Sequence, residues 1–368
     1  MQPHRSSATL FALIFALLIT YASLYPFTGW RDQGINPFYF LTAPWPHYWS
    51  RFDVVANFLG YVPLGFLATL SLLRTRLLPQ PALLAAITCS LLSVALEALQ
   101  SYLPYRVPQL SDWLLNSGGA LVGAVIAVAL ERMGAIDHWS RFRARWFVRD
   151  ARLPLVLIAL WPVALLFPPV VPLTLGQVRR RLHGFFDHLL GGTPLAALID
   201  EPAGYVLPLS NLSELICVAL GLLIPCLLAY TVTLGWYRRT LLWVSGVLTA
   251  LAASSLSAAL SYSPDNAWGW ASLPAGVGLC IGISLALLCI TLPRKLCLGL
   301  LVAALVWQLS LINGAPETPY YAQALQSWEQ GRFIRFHGLA QWLGWLWPYA
   351  ALIAALIALG RRDDNLRR

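Results

Sequence analysis

Ten long apolar runs punctuate this chain, at residues 8–25, 54–73, 81–101, 113–130, 153–171, 212–234, 241–260, 272–292, 296–312 and 339–360, with short arginine clusters between them. A helix needs about 20 mostly apolar residues to cross a bilayer, and most of the runs are that long. Only 11% of the 368 residues are charged and 58% are hydrophobic. An ordinary soluble domain carries about 25% charged residues, so this chain cannot cover a water-facing surface. The expected fold is all-α, a polytopic transmembrane helix bundle of about ten spans.

The formal charge of +9 does not point to nucleic acid, because the basic residues sit in separate clusters between apolar runs and form no single patch. Membrane topology explains them. With the N-terminus inside, the inner loops and tails hold 17 of the 25 basic residues and the outer segments hold 8, as the positive-inside rule requires. Both termini are therefore expected in the cytoplasm, although the triplet Arg179–Arg181 falls outside. Lys295 is the only lysine, which reads as a GC-rich bacterial coding bias and places the chain in a bacterial inner membrane. The first run follows His4 and Arg5 as a signal peptide would, but no A-x-A cleavage site follows it, so it reads as a retained anchor. All six cysteines lie inside apolar runs without a CxxC or Cys/His pattern, and neither disulfides nor a zinc site is expected.

The chain also repeats itself. EALQSYLP followed by SGGALVG around the third and fourth runs is echoed by SAALSYSP followed by AGVGLCIG around the seventh and eighth. Tyr102 and Pro104 match Tyr262 and Pro264, while Gly119 and Gly123 match Gly278 and Gly282. The two copies are separated by an even number of spans, so the expected duplication is parallel and not the inverted arrangement of many transporters. Three domains follow: residues 1–150 with spans one to four, 151–292 as a degenerate second copy, and 293–368 as a C-terminal pair. The glycines that survive in both copies serve helix packing.

The polar residues of the first copy are the candidates for chemistry. Asp53 and Asn57 share a helical face at one end of the second span, and Tyr61 continues that face one turn deeper. Glu97 and Gln100 share a face at the end of the third. Asp112 and Asn116 do so at the start of the fourth, after a short loop carrying Arg106 and Ser111. A carboxylate well inside a span costs about 2.5–3.5 kcal/mol on insertion scales and normally faces a bundle interior or a cavity with a partner. Glu97 is the costly one, and Arg106 is its natural counter-ion or a fork for an anionic headgroup. The bland alternative is interhelical hydrogen-bond glue. No metal is expected, since Arg106 would repel a cation from the three acids. His47, His183 and His188 lack a catalytic setting, and the chain has no nucleophile elbow, P-loop or dinucleotide fingerprint, so no cofactor is expected. Two outer segments are long enough for structure of their own, at 172–211 and at 313–338; the second, with Trp328, Phe333, Ile334 and Phe336, reads as an interfacial amphipathic stretch leading into Trp342, Trp345 and Trp347, an aromatic belt.

At these residues the sequence resembles the VanZ-like membrane protein family. DVVANFLGYVPLG (Asp53 to Gly65) matches its Asp, Asn or His and PLG-type turn; Glu97, Gln100, Arg106, Asp112, Asn116 and Gly119 match its E-x-x-Q, Arg and D-x-x-x-N-x-x-G. The match covers roughly the first 130 residues. The resemblance implies a bacterial multi-spanning protein, in a family named for a low-level teicoplanin-resistance factor, with a role in envelope or polysaccharide biology. The expected function is an outward-facing polar pocket for an amphiphile, with membrane lipid or a lipid-linked glycan as partner. Two other classes stay open: a hydrolase or transferase at the outer leaflet using Glu97 or Asp112 as general acid or base, and a non-catalytic subunit that docks envelope-assembly proteins.

Overall fold

The computed structural model describes residues 7–25, 27–45, 51–75, 79–179, 182–183, 186, 190, 209–314 and 334–361. His47, His188, Arg180, Arg181, Trp328 and Phe333 lie outside them, as does most of the two longer segments. The described residues form eleven α-helices: α1 (Ser7–Leu24), α2 (Arg51–Thr75), α3 (Pro81–Gln100), α4 (Leu110–Arg132), α5 (Ala135–Trp146), α6 (Arg152–Ala164), α7 (Asn211–Val232), α8 (Trp236–Ser261), α9 (Leu273–Leu288), α10 (Arg294–Asn313) and α11 (Ile334–Gly360). Extended pairing among the described residues is limited to an isolated bridge between Phe147 and Thr233. Eight helices are long and apolar enough to cross a membrane, and the chain is a multi-pass helical membrane protein.

The first and fifth apolar runs make shorter helices than the other eight. The fifth run, expected through residue 171, stops being helical after 13 residues at Ala164, about 20 Å of rise at 1.5 Å per residue. The cause is local. Pro168 and Pro169 lack N–H groups and push the residues before them out of the α region, and Leu173 takes a positive φ of 64°. Such backbone is tolerated at membrane depth only inside protein. Leu165, Phe167, Val171, Leu173 and Leu175 are all buried, and Gly176 N–H donates to the Gly344 carbonyl at 2.9 Å. Asn313 Nδ2 and the Tyr349 hydroxyl donate to the Gly176 carbonyl at 3.0 and 3.2 Å.

The chain divides into two compact units, Met1–Phe142 and Arg143–Arg368. In the first, α2 and α4 touch backbone to backbone. A Cβ on Gly119 would run into the Phe58 carbonyl, one on Gly123 into the Val62 carbonyl, and one on Gly65 into that of Ala120. Small residues permit this approach, and packing gained in this way holds helices together where lipid removes the hydrophobic drive.

In the second unit α7 is the axis. Fully 89% of its spanning window is buried, as expected of a helix that is apolar all round. Gly278 and Gly282 of α9 lie against the Leu215 and Ala219 carbonyls of α7. Trp347 departs from the aromatic-belt expectation: it is 3% exposed and donates through Nε1 to the Leu157 carbonyl at 2.7 Å. Trp342 is 46% exposed, edge-on to Trp345 with centroids 5.4 Å apart.

Candidate functional site

The start of α2, the end of α3 and the start of α4 form one end of the first unit, because α3 runs antiparallel to its two neighbours in chain order. Asp53 lies in the first turn of α2 and Asp112 in the first turn of α4. Both acids thus meet the positive end of a helix dipole, which gives them a local reason to be where they are. Asp53, Asn57 and Asp112 are all partly exposed.

Glu97 is different. It is 4% exposed, and its Oε2 accepts from the Gln109 backbone N–H at 3.2 Å. Gln109 is the N-cap of α4, so the carboxyl satisfies one of the amides that a helix start leaves open. Asp112 and Arg106 lie near enough to act on its charge. One turn deeper on α3, Ser93 is fully buried and accepts from Asn116 Nδ2 of α4 at 2.9 Å, with the Tyr61 hydroxyl of α2 alongside. Three helices therefore join through Tyr61, Ser93 and Asn116 directly below Glu97. Asn116 is 6% exposed, and its Oδ1 has no hydrogen-bond partner among the described residues.

Gln100 and Arg106 perform another task. Gln100 Nε2 donates to the Ser23 carbonyl at 3.1 Å, and Arg106 Nη2 donates to the carbonyls of Ala22 and Tyr25, each at 3.1 Å. Those carbonyls belong to the last turn of α1 and the residue beyond it, which the helix cannot satisfy from within. A cation there also complements the helix dipole. The expected polar set thus contains two groups: Glu97 and Asn116 between α2, α3 and α4, and Gln100 and Arg106 fastening α1.

Ser93 and Gln109 were not foreseen as members. The only signal for Ser93 was its position four residues before Glu97, on the same face. Gln33 was also missed; its Nε2 donates to the Ser101 carbonyl at 2.6 Å and helps hold the α1–α2 loop against the α3–α4 turn, together with Arg31 N–H on the Tyr102 carbonyl at 3.0 Å. A second seam of α3 and α4 runs through Ser90, which pairs with the Ser117 hydroxyl at 2.8 Å and accepts from Trp113 Nε1 at 2.9 Å.

Gly119 and Gly123 set α4 against the α2 backbone at Phe58 and Val62, whereas Gly278 and Gly282 act within the second unit. Among the described residues no three His, Cys, Asp or Glu side chains gather as a metal site would require. Chemically, the core of the arrangement offers an amide oxygen, the Asn116 Oδ1, out of water and without a donor among the described residues, close to a buried carboxyl that already accepts from Gln109.

Residues 8–131, from α1 to the last turn of α4, match the model of the VanZ/LLP1 family, and this stretch is VanZ-like. No curated protein and no solved structure matches the chain.

Proposed function

We propose that the first unit binds the headgroup of an amphiphile, with a lipid-linked glycan as the class that fits best, in envelope or polysaccharide biology. The observation that carries this reading is the buried pair of acceptors, Glu97 and the Asn116 Oδ1 with no partner among the described residues. A buried acceptor left without a donor costs about 1–3 kcal/mol, and sugar hydroxyls are donors that would recover it. Asp53, Asn57 and Asp112, partly exposed at the same end, complete the polar rim in this reading. Arg106 holds the α1 wall and faces any anionic part of the headgroup, while Gln100 supports it from α3. Glycopeptide resistance is a special case of the same chemistry, since a lipoglycopeptide is also a glycan carried on an apolar tail.

With the arginine-rich loops inside, the site faces outward from the inner membrane and both termini are cytoplasmic. A parallel duplication with a degenerate second copy accounts for the shared use of glycine pairs, Gly119 and Gly123 of α4 against α2, Gly278 and Gly282 of α9 against α7. The second copy keeps the packing residues and has lost nearly all of the first copy's polar set, with Glu214 as an acid at the start of α7, which makes it a scaffold.

The test uses the full chain in nanodiscs with two probes, an undecaprenyl-pyrophosphate-linked oligosaccharide and teicoplanin. Binding to at least one, weakened tenfold or more by Glu97→Gln and by Asn116→Leu in proteins that insert and unfold normally, is the expected result. Equal binding by both variants removes the site from the reading. Appearance of a cleaved or transferred product in the same incubation would make the protein an enzyme instead of a binder.

A further inference from the structure

The end of α4 away from Glu97 leads through Gly134, at φ 70°, straight into α5. Its sequence AIDHWSRFRARW is strongly two-sided. Ala135, Trp139, Phe142 and Trp146 fall on one arc, and Asp137, Ser140, Arg141 and Arg145 on the opposite one.

Each half of the helix has contacts within its own unit. Arg74 Nη2, at the close of α2, donates to the Ser140 hydroxyl at 3.0 Å. At the other end Arg238 donates to the Arg145 carbonyl and lies over the Trp146 ring, 5.6 Å from its centroid. The apolar arc nevertheless stays open: Trp139 is 58% exposed and Phe142 37%, their rings stacked 5.5 Å apart. Two exposed aromatics on a helix that begins three residues after a membrane span lie at the level of the bilayer surface, where amphipathic rings are favoured.

Charge says which surface. Arg132, Arg141, Arg143, Arg145, Arg149 and Arg152 crowd into this short stretch, and of its acids Asp150 pairs with Arg361 at 2.9 Å. Burial, with Arg152 nearby, holds the Arg143 guanidinium below its ordinary value; an anion beside these two cations would relieve that crowding.

We propose that α5 is an interfacial foot that binds anionic phospholipid, sinking the Trp139–Phe142 stack to the acyl boundary while Arg141, Arg143 and Arg145 grip headgroup phosphates. The occupant is a lipid surface because the apolar arc and the cations serve one ligand with a tail and a charge. With the arginine-rich side inside, that surface is the cytoplasmic leaflet. This binding is separate from the Glu97 cluster and does not depend on it.

The experiment titrates the full detergent-purified chain with phosphatidylglycerol, phosphatidylcholine or inorganic phosphate and counts bound lipid by native mass spectrometry. One arginine at a membrane surface contributes about fivefold. The intact protein should favour phosphatidylglycerol by tenfold or more. R141Q/R143Q/R145Q should lose that preference, and R141Q alone, at an exposed position, should lower it about fivefold even if the triple variant does not fold. W139S/F142S should weaken both lipids alike. R31Q, an exposed arginine in the α1–α2 loop, should change nothing. The proposal falls if R141Q and the triple variant keep the full preference, if R31Q reduces it as much, or if inorganic phosphate displaces the lipid at equal concentration.

Discussion

Replacing Arg106 by alanine separates fastening from ligand capture. The side chain reaches the Ala22 and Tyr25 carbonyls through a single nitrogen, Nη2. Hydrogen bonds from a charged donor contribute about 1.5–3 kcal/mol apiece; two that share one nitrogen do not add fully, so about 2 kcal/mol is the expected loss. That loss is local to the last turn of α1. At 1.4 kcal/mol per factor of ten, amide hydrogen exchange from Tyr21 to Tyr25 should rise about 30-fold, while exchange in α4 stays put. Gln100→Ala, which removes one neutral bond to Ser23, should raise the same amides about fivefold. Hydrogen-exchange mass spectrometry of the protein in nanodiscs reads both. Unchanged protection of Tyr21–Tyr25 in the Arg106 variant would refute the fastening role and leave that arginine to the ligand alone.

Gly123→Ala places a methyl against the Val62 carbonyl, an atom with no rotamer to yield, and should destabilise the first unit by about 1–3 kcal/mol; Gly60→Ala, with nothing within 4 Å, should leave the melting temperature unchanged. Single cysteines introduced at positions 31 and 141 of a chain stripped of its own thiols should be labelled from opposite sides of intact cells and inverted vesicles, position 141 reacting in the inverted vesicles. Labelling of both from the same side would reverse or break the positive-inside assignment.

Helix identity was readable because apolar length alone decides it in lipid, and the placement of Asp53, Glu97 and Asp112 toward one end of the first unit followed from antiparallel succession. The glycine spacing at 119 and 123 announced a close approach without naming its partner. The fifth run misled for a physical reason: apolar content persists past Ala164, but Pro168 and Pro169 end the helical conformation, and a hydropathy pattern does not distinguish a buried helix from a buried irregular segment. The role of Arg106 was hidden because its acceptors are backbone carbonyls, which every residue carries and no sequence pattern marks. Ser93 was hidden because it is one of three small hydroxyls in an apolar run, with Thr88 and Ser90, and nothing in the pattern singles it out.

The enclosure of α7 bears on how the protein is made. Domains emerge from the N-terminal side first, so α7 enters the bilayer before α8, α9 and α10 exist to surround it. Its side chains are as content beside acyl tails as beside leucine, and lipid can serve as temporary company until the later helices displace it. The sequence that suits the finished interior is therefore the one that makes the waiting period safe, and a charge introduced midway along α7 would be felt during synthesis, before the native neighbours arrive.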